Sequence, residues 1–337
     1  MAEKFWKDKA VLVTGTNGFL ASHITLSLLE RKAKVIGIIK EKIPNSFLEL
    51  KLKERKYKNL KVLKGDISDY VFIRKLFKNY KPDICFHVAA QAIVGKANKS
   101  PIVTLKTNIE GTWNILEVAR VFSPKTKIVV ASSDKAYGEH KKLPYREGAA
   151  LQSLHPYDAS KACADILSRT WAHTYGLAVS VTRCANIYGP GDLNFSRIIP
   201  DTVRAVILNK NPVIRSDGTP LRDYIFISDI VNAYLLLAKA LFKNKAGVRG
   251  EAFNFGSGKP ISVLKLVNII IQASGRRSLK PQILSKVKIK GEIDRQYLSS
   301  RKARSILHWA PKYGLHEGIN ITLGWYKDFL QKGMKNG

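Results

Sequence analysis

Apolar positions in the first half of the chain switch repeatedly between two periods. Short β-branched runs at 9–15 (KAVLVTG), 34–39 (KVIGII), 59–65 (NLKVLKG), 83–90 (DICFHVAA) and 127–133 (KIVVASS) read as strands. Between them, FLASHITLSLLERK (19–32), DYVFIRKLFKNY (69–80) and NIEGTWNILEVARVF (108–122) carry apolar residues at helical spacing. The alternation predicts an α/β fold, a Rossmann-type doubly wound parallel sheet covered on both faces. It continues through ADILSRTWAHTYG (164–176), a helix with Gly176 as its C-cap, into AVSVTRCANIYG (178–189), read as one more strand.

After about residue 190 turn formers become frequent and periodic pieces shorten, which predicts a smaller module set above the sheet. The expected division is 1–190 for the Rossmann domain and 191–337 for a smaller C-terminal α/β module. Segments within about 222–258 are expected to return to the main sheet: the helix 227–242 (ISDIVNAYLLLAKALF) and the strand 251–256 (EAFNFG). The charged tail QKGMKNG (331–337) is expected to fray.

Composition changes this picture little. Hydrophobic residues at 45% and charged residues at 25% are ordinary for a globular chain, and 337 residues can bury a full core. Three cysteines and seven histidines fall in no ligand spacing, so no metal is expected. The first residues hold no long apolar segment and no run of 18 apolar residues follows, so the reading is a cytoplasmic protein with no membrane partner. Charge does stand out: 57 Lys and Arg against 26 acids give +31. The basic runs (51–61, 78–81, 125–127, 276–280 and 285–290) are scattered, without an arginine-rich arm or aromatic interleaving. They predict a solvated basic surface that favours anionic ligands, with no specific nucleic-acid partner.

Candidate chemistry begins at TGTNGFLASHI (14–24), where Gly15, Gly18 and Ala21 recur at threefold spacing between a strand and a helix. Gly15 permits a tight turn, Gly18 lets backbone approach a phosphate, and the helix N-terminus offers free N–H groups to a pyrophosphate. The second strand ends Ile39–Lys40–Glu41. Lys40 suits a 2′-phosphate and Glu41 a plain ribose, which leaves NAD and NADP both open. Asp66 can accept from an adenine amino group or cap a helix starting near Ser68.

Further along, HPYDASKACAD (155–165) sets Tyr157 and Lys161 on one helix face. A phenol with a free pKa of ~10 is a poor base. A neighbouring ammonium and a positive nicotinamide would favour its phenolate, able to take a proton from a sugar hydroxyl that Ser133 also holds.

With these motifs the chain resembles the extended short-chain dehydrogenase/reductases, the NAD-dependent epimerases and dehydratases of nucleotide sugars. The order of the glycine loop, AAQ (89–91), SSDKAYG (132–138), YDASK (157–161), TRCANIYGPGD (182–192), RSDGTPLRDYIFISDI and EIDRQYLSSRKARSILHW carries the resemblance over nearly the whole chain. The doublet Asp134–Lys135 is similar to that of the CDP-glucose 4,6-dehydratases. The resemblance implies a cofactor-binding set of Gly15, Asn17, Gly18, Phe19, Leu20, Lys40, Asp66, Ile67, Ala89, Ala90, Gln91, Asn108, Tyr157 and Lys161, with NAD as cofactor and NADP open. It implies Ser133, Asp134, Lys135, Tyr157 and Lys161 as catalytic residues in domain 1–190. It implies Asn186, Asn194, Arg197, Arg222 and Arg295 as contacts of a nucleotide-diphosphate hexose, mainly in domain 191–337.

The implied reaction is transient oxidation at C4, loss of water across C5–C6, and hydride return to C6. Oxidising C4 acidifies the C5 proton. Asp134 is the candidate acid for the C6 hydroxyl, and Lys135, if discharged by burial near positive charge, the candidate base. The doublet's other reading is a solvated strand-end pair. A 4-epimerase or 4-oxidase is the alternative within the family, and a nucleic-acid-binding protein is the alternative outside it. The resemblance also implies a homodimer joined by helices 108–122 and 157–176. There Ile109, Trp113, Ile115, Leu116, Ile166, Leu167, Trp171 and Tyr175 exceed the face a sheet can bury.

Overall fold

The structure, a computed structural model, describes residues 2–285 and 293–335. The basic run 285–290 and the end of the tail, 336–337, therefore lie largely or wholly outside the described residues. Six strands form in chain order: β1 (Ala10–Thr14), β2 (Lys34–Ile39), β3 (Leu60–Lys64), β4 (Ile84–His87), β5 (Lys127–Ala131) and β6 (Val179–Cys184). With the strand Ala252–Phe255 they make a seven-stranded sheet in the order 252–255, β6, β5, β4, β1, β2, β3. Every pairing in it is parallel.

Sequence period explains the layering. Along β1, Val11 and Val13 enter the core on one face and Leu12 enters the core on the other. Along β5, Val129 and Ala131 oppose Ile128 and Val130 in the same way. Strands buried on both faces read as unbroken apolar runs, which is the parallel-sheet signature. Gly37 in β2 has a local reason: a Cβ there would sit 2.6 Å from Thr16 Oγ1.

Two elements differ from the sequence expectation, and a third follows it closely. The run 178–189 is two strands, because the chain leaves the sheet at Ala185. Ala185 N still donates to Phe255 O at 3.0 Å, whereas Asn186 N donates to Asp223 O at 3.0 Å. Asn186–Tyr188 then pairs with Tyr224–Phe226. The helix expected to carry Tyr157 and Lys161 runs from Pro156, whose missing N–H costs nothing in a first turn. It ends on Gly176 in the left-handed region, φ 69°. The helix expected from Asn108 is preceded by one wide π-type turn, Lys106–Glu110, and runs regularly over Gly111–Phe122.

The sheet order reverses between β1 and β4, so the loops after those strands diverge and open a crevice at their C-terminal ends. Above it, Leu221–Arg222 is flanked by Ile261–Ser262, antiparallel, and by Arg295–Gln296, parallel. No helix among the described residues is long and apolar enough to cross a membrane.

Candidate active site

The glycine loop follows β1 directly. Gly15 has φ +71°, and a Cβ on it would lie 2.9 Å from Ala89 Cα, so loop and crevice wall touch backbone to backbone. Gly18 caps the helix Phe19–Glu30 without a side-chain bond to its first N–H groups. A Cβ at Gly18 would approach Gly15 O at 3.1 Å. This is a turn that holds its backbone close and leaves a helix N-terminus unblocked, a cradle fit for a dinucleotide pyrophosphate. Asn17 Nδ2 donates to Glu41 O at 2.6 Å and ties the loop to the end of β2. Phe19 and Leu20 are partly buried against the core.

A polar chain fixes the crevice floor. Thr14 Oγ1 accepts from Val88 N at 3.0 Å and Ala89 N at 2.9 Å, so its own proton goes to His87 Nδ1, 3.1 Å away. His87 Nε2 then donates to Thr112 Oγ1 at 3.1 Å, which donates to Asn108 O at 2.6 Å. Burial, helped by the Lys161 charge, lowers His87 to about 3, so the ring is neutral. Asn108 is spent on protein groups: Oδ1 accepts from Gln91 N, and Nδ2 donates to Gln91 O and Ser160 Oγ. It thus pins the loop of Ala89, Ala90 and Gln91 to the helix Pro156–Tyr175. Ile67 packs against Gly111.

Lys40 and Asp66 are one unit, Nζ to Oδ2 2.8 Å. Burial pushes the Asp66 carboxyl up, but bonds from Lys40 and Ser68 outweigh it and hold the group below its usual range. The helix-capping reading of Asp66 is corrected. That helix begins at Tyr70, and Asp69 caps it by accepting from Phe72 N at 3.0 Å.

The catalytic candidates converge at the end of β5. Ser133 starts a 3₁₀ turn over Asp134–Tyr137, accepting from Lys135 N at 3.2 Å and donating to Asp134 Oδ1 at 3.1 Å. The Tyr157 hydroxyl bonds with Ser133. Lys161 Nζ donates to Ala131 O at 2.7 Å, and burial lowers its ammonium to about 8. Burial, with the charges of Asp158 and Asp134, raises the Tyr157 phenol above its ordinary value. The expectation of a phenolate favoured by Lys161 is corrected for the protein alone, where the phenol is protonated.

Asp134 is 2% exposed and its Oδ2 has no partner. Burial pushes its carboxyl up to about 6; the Asp223 charge adds to the rise, while Lys135, Ser133 and Arg222 oppose it. Lys135 is half-buried, and the charges it acts on are the carboxylates Asp134 and Asp158. The doublet is a turn with a buried acid, not a solvated strand end.

The candidate substrate residues form a rim. Asn186 Nδ2 donates to Asp223 O at 3.2 Å. Asn194 Oδ1 accepts from Ser196 N and Oγ, and Arg197 Nη1 pairs with Asp192 Oδ2 at 2.6 Å. The Arg197 charge also acts on Tyr157, opposing the rise of its phenol. Arg222 Nη1 donates to Leu221 O at 3.0 Å, and its charge reaches Asp134. Arg295 is exposed on the strand beside Leu221–Arg222. No group of His, Cys, Asp and Glu that could hold a metal occurs among the described residues.

Sequence reasoning passed over Asp223, whose carboxylate accepts from Ser257 N, Ser257 Oγ and Gly258 N. Its position directly after Arg222 was the available signal. It also passed over Asp158, in plain view beside Tyr157.

Residues 12–322 match the family model described as GDP-mannose 4,6 dehydratase. The chain is 30% identical over 329 residues to UDP-glucuronate 4-epimerase of Thermodesulfobacterium geofontis, covering 95% of this chain and 97% of that one. It is 28% identical to CDP-glucose 4,6-dehydratase of Salmonella typhimurium over 343 residues, 98% of this chain and 93% of that one. Among solved structures, dTDP-glucose 4,6-dehydratase of Bacillus anthracis in complex with NAD superposes with a TM-score of 0.81 at 26% identity. That match covers 95% of this chain and 97% of the other.

Proposed function

The chain belongs to the GDP-mannose 4,6-dehydratase family of nucleotide-sugar enzymes, and on that premise we propose that it is an NDP-sugar 4,6-dehydratase with CDP-glucose as its substrate. The observation that carries this reading is Asp134: a buried carboxyl with an unpartnered oxygen, holding its proton up to about pH 6, is suited to protonate a leaving hydroxyl. A solved relative binds NAD, and the crevice between the Gly15 loop and Ala89–Gln91 suits the same cofactor here. When bound, NAD supplies a reversible hydride acceptor for the sugar carbons.

The chain's own residues supply the proton chemistry. Tyr157, hydrogen-bonded with Ser133, takes the C4 hydroxyl proton once a cationic nicotinamide offsets the carboxylates that hold it as phenol. Lys161, anchored on Ala131 O, brings positive charge to the crevice floor. Asp134 gives its proton to the C6 hydroxyl, and Lys135 takes the C5 proton. Arg222, Arg295 and Arg197 supply cationic donors for the diphosphate.

A 4-epimerase is the second reading, favoured by the 30% identity to UDP-glucuronate 4-epimerase and by a Ser133–Tyr157 pair sufficient for C4 oxidation alone. Purified protein with CDP-glucose separates the two. A dehydratase yields a 4-keto-6-deoxy sugar absorbing in base, with no net use of cofactor, and Tyr157→Phe abolishes it while retaining NAD. Interconversion of NDP-glucose and NDP-galactose without loss of water supports the epimerase.

The proposed active form is a homodimer. Trp113, Ile166 and Tyr175 are exposed on the helices Gly111–Phe122 and Pro156–Tyr175, with Ile102 and Val103 nearby in sequence. Ile115 and Leu116 belong to the core instead, so the proposed interface is narrower than the sequence pattern suggested. Light scattering that gave only a 37.7 kDa species at micromolar protein would remove the dimer.

A further inference from the structure

The loop 189–197 carries Asn194 and Arg197, and residues from distant parts of the chain hold it in place. On the cofactor side, His23 Nε2 donates to Pro190 O at 2.8 Å. A carbonyl only accepts, so the proton sits on Nε2. The imidazole lies flat against Phe47, centroids 4.1 Å apart at 13°, and edge-on to Phe19. Phe47 also closes on the loop itself: a Cβ on Gly191, which has φ +84°, would lie 2.6 Å from Phe47 Cβ. Burial lowers His23 to about 4 against the raising effect of the Pro190 bond, so the ring is a neutral donor at pH 7. On the other side, the Tyr326 hydroxyl donates to Asp192 O. The Asp192 carboxylate, 4% exposed, then organises the rest of the loop. Its Oδ1 accepts from Asn194 N at 3.2 Å and its Oδ2 from Arg197 Nη1 at 2.6 Å. A guanidinium fixed at one corner keeps further donors for an anion.

His23 lies in the second turn of the helix Phe19–Glu30, whose N-terminus at Gly18 forms part of the pyrophosphate cradle. The same helix thus meets the cofactor with its end and grips the substrate loop with its side. Resting on the proposed nucleotide-sugar substrate, and equally on either of its two reactions, we propose that His23 is a positioning residue for substrate binding. It seats the loop 189–197 before the sugar nucleotide arrives, so that Arg197 meets the diphosphate already in place. A donor aimed at a backbone carbonyl fixes the path of the chain there. Without it, ordering the loop falls on the binding step and is subtracted from affinity. Once the ligand is bound the loop is ordered in either case, so the rate of the bound complex is spared. Because His23 acts on the ligand only through the loop, its effect depends on Arg197.

The test reads KM, kcat and NAD affinity of the full chain with the NDP-hexose that the parent converts, CDP-glucose first. His23→Phe keeps a ring against Phe47 and removes the donor. KM should rise about 5–20-fold, roughly the scale of one bond lost from a part-buried carbonyl, with kcat within about twofold of the parent. His23→Gln, a donor without the ring, should recover much of the loss. Distant, independent sites add, whereas here Arg197→Ala should remove most of the sensitivity of KM to His23→Phe. Tyr326→Phe deletes only the hydroxyl on Asp192 O; it should repeat the rise in KM, and it carries the test if His23→Phe does not fold. Parental KM in His23→Phe, or in Tyr326→Phe where that variant stands in, overturns the proposal. So does a full, additive loss in the Arg197→Ala background, which makes His23 a support of the fold at large. So does a fall in NAD affinity that matches the rise in KM, which makes it a support of the cofactor helix. Each of these leaves the parent converting a sugar nucleotide. A parent that converts no NDP-hexose instead removes the function and the inference with it.

Discussion

Arg183 and Asp165 meet in two parallel hydrogen bonds, Nε to Oδ2 at 2.7 Å and Nη2 to Oδ1 at 2.8 Å, with neither side chain exposed. The pair joins β6 to the helix that carries Tyr157 and Lys161. Arg183 Nη1 also donates to Tyr137 Oη at 2.9 Å, and Tyr137 donates to Asn254 Oδ1 at 2.7 Å. One guanidinium therefore couples the helix of Tyr157 and Lys161, the turn of Asp134 and the edge strand 252–255.

Removing one partner leaves the other charge buried. Arg183→Met should cost about 3–5 kcal/mol in chemical denaturation, and the double change Arg183→Met with Asp165→Leu should recover a large part. A single variant as stable as the parent would show that water already reaches the pair.

Gly15 allows a sharper test of the crevice. Gly15→Ala meets a positive φ and places a Cβ 2.9 Å from backbone, so it should cost about 1–3 kcal/mol and weaken NAD binding. Gly18→Ala, at φ −75°, meets no positive-φ strain and should be far milder in thermal melts. Equal losses at both positions would refute the backbone-contact argument.

Much of this was legible in the sequence because it is local. Period fixes which residues of β1 and β5 enter which core, and a strand–glycine–helix run announces the loop. Proline at 156 and glycine at 176 mark the helix ends. What was not legible depends on distant partners. Nothing within 178–189 announces that Asn186 will pair with Asp223 rather than continue the sheet. Ile115 and Leu116 looked surplus until the opposing core was in place. Arg183, Asp158 and Asp223 are single polar letters whose meaning comes from burial.

The pair Lys40–Asp66 bears on the choice between NAD and NADP. Lys40 is engaged at 2.8 Å by a carboxylate, and that carboxylate repels a 2′-phosphate. The intact pair should therefore prefer NAD. Asp66→Asn removes the repulsion and frees the ammonium, and should shift the NAD-to-NADP affinity ratio toward NADP by roughly tenfold, about 1.4 kcal/mol. Fluorescence titration with both cofactors measures it, and a ratio unmoved by Asp66→Asn would take Lys40 out of the ribose site.

Asp134 makes activity and stability run together with pH. Its carboxyl titrates near 6 when folded against an ordinary 3.8, so between those values the folded chain binds more protons than the unfolded one. Stability from this group is then fully present below about pH 4 and lost as pH rises through 6; two units amount to roughly 3 kcal/mol. Asp134→Asn carries no charge to bury. The variant should melt above the parent at pH 7–8, and the difference should close as pH falls toward 4. Dehydration by the parent should decline above about pH 6 as the proton for the C6 hydroxyl is lost, while C4 oxidation, which does not use that proton, should not follow the same curve. The two dependences share one titrating group, so they must share one midpoint. Melting curves of parent and variant that run parallel from pH 4 to 8 would show that Asp134 is not buried as a proton reservoir, and the acid of the elimination would have to be sought elsewhere.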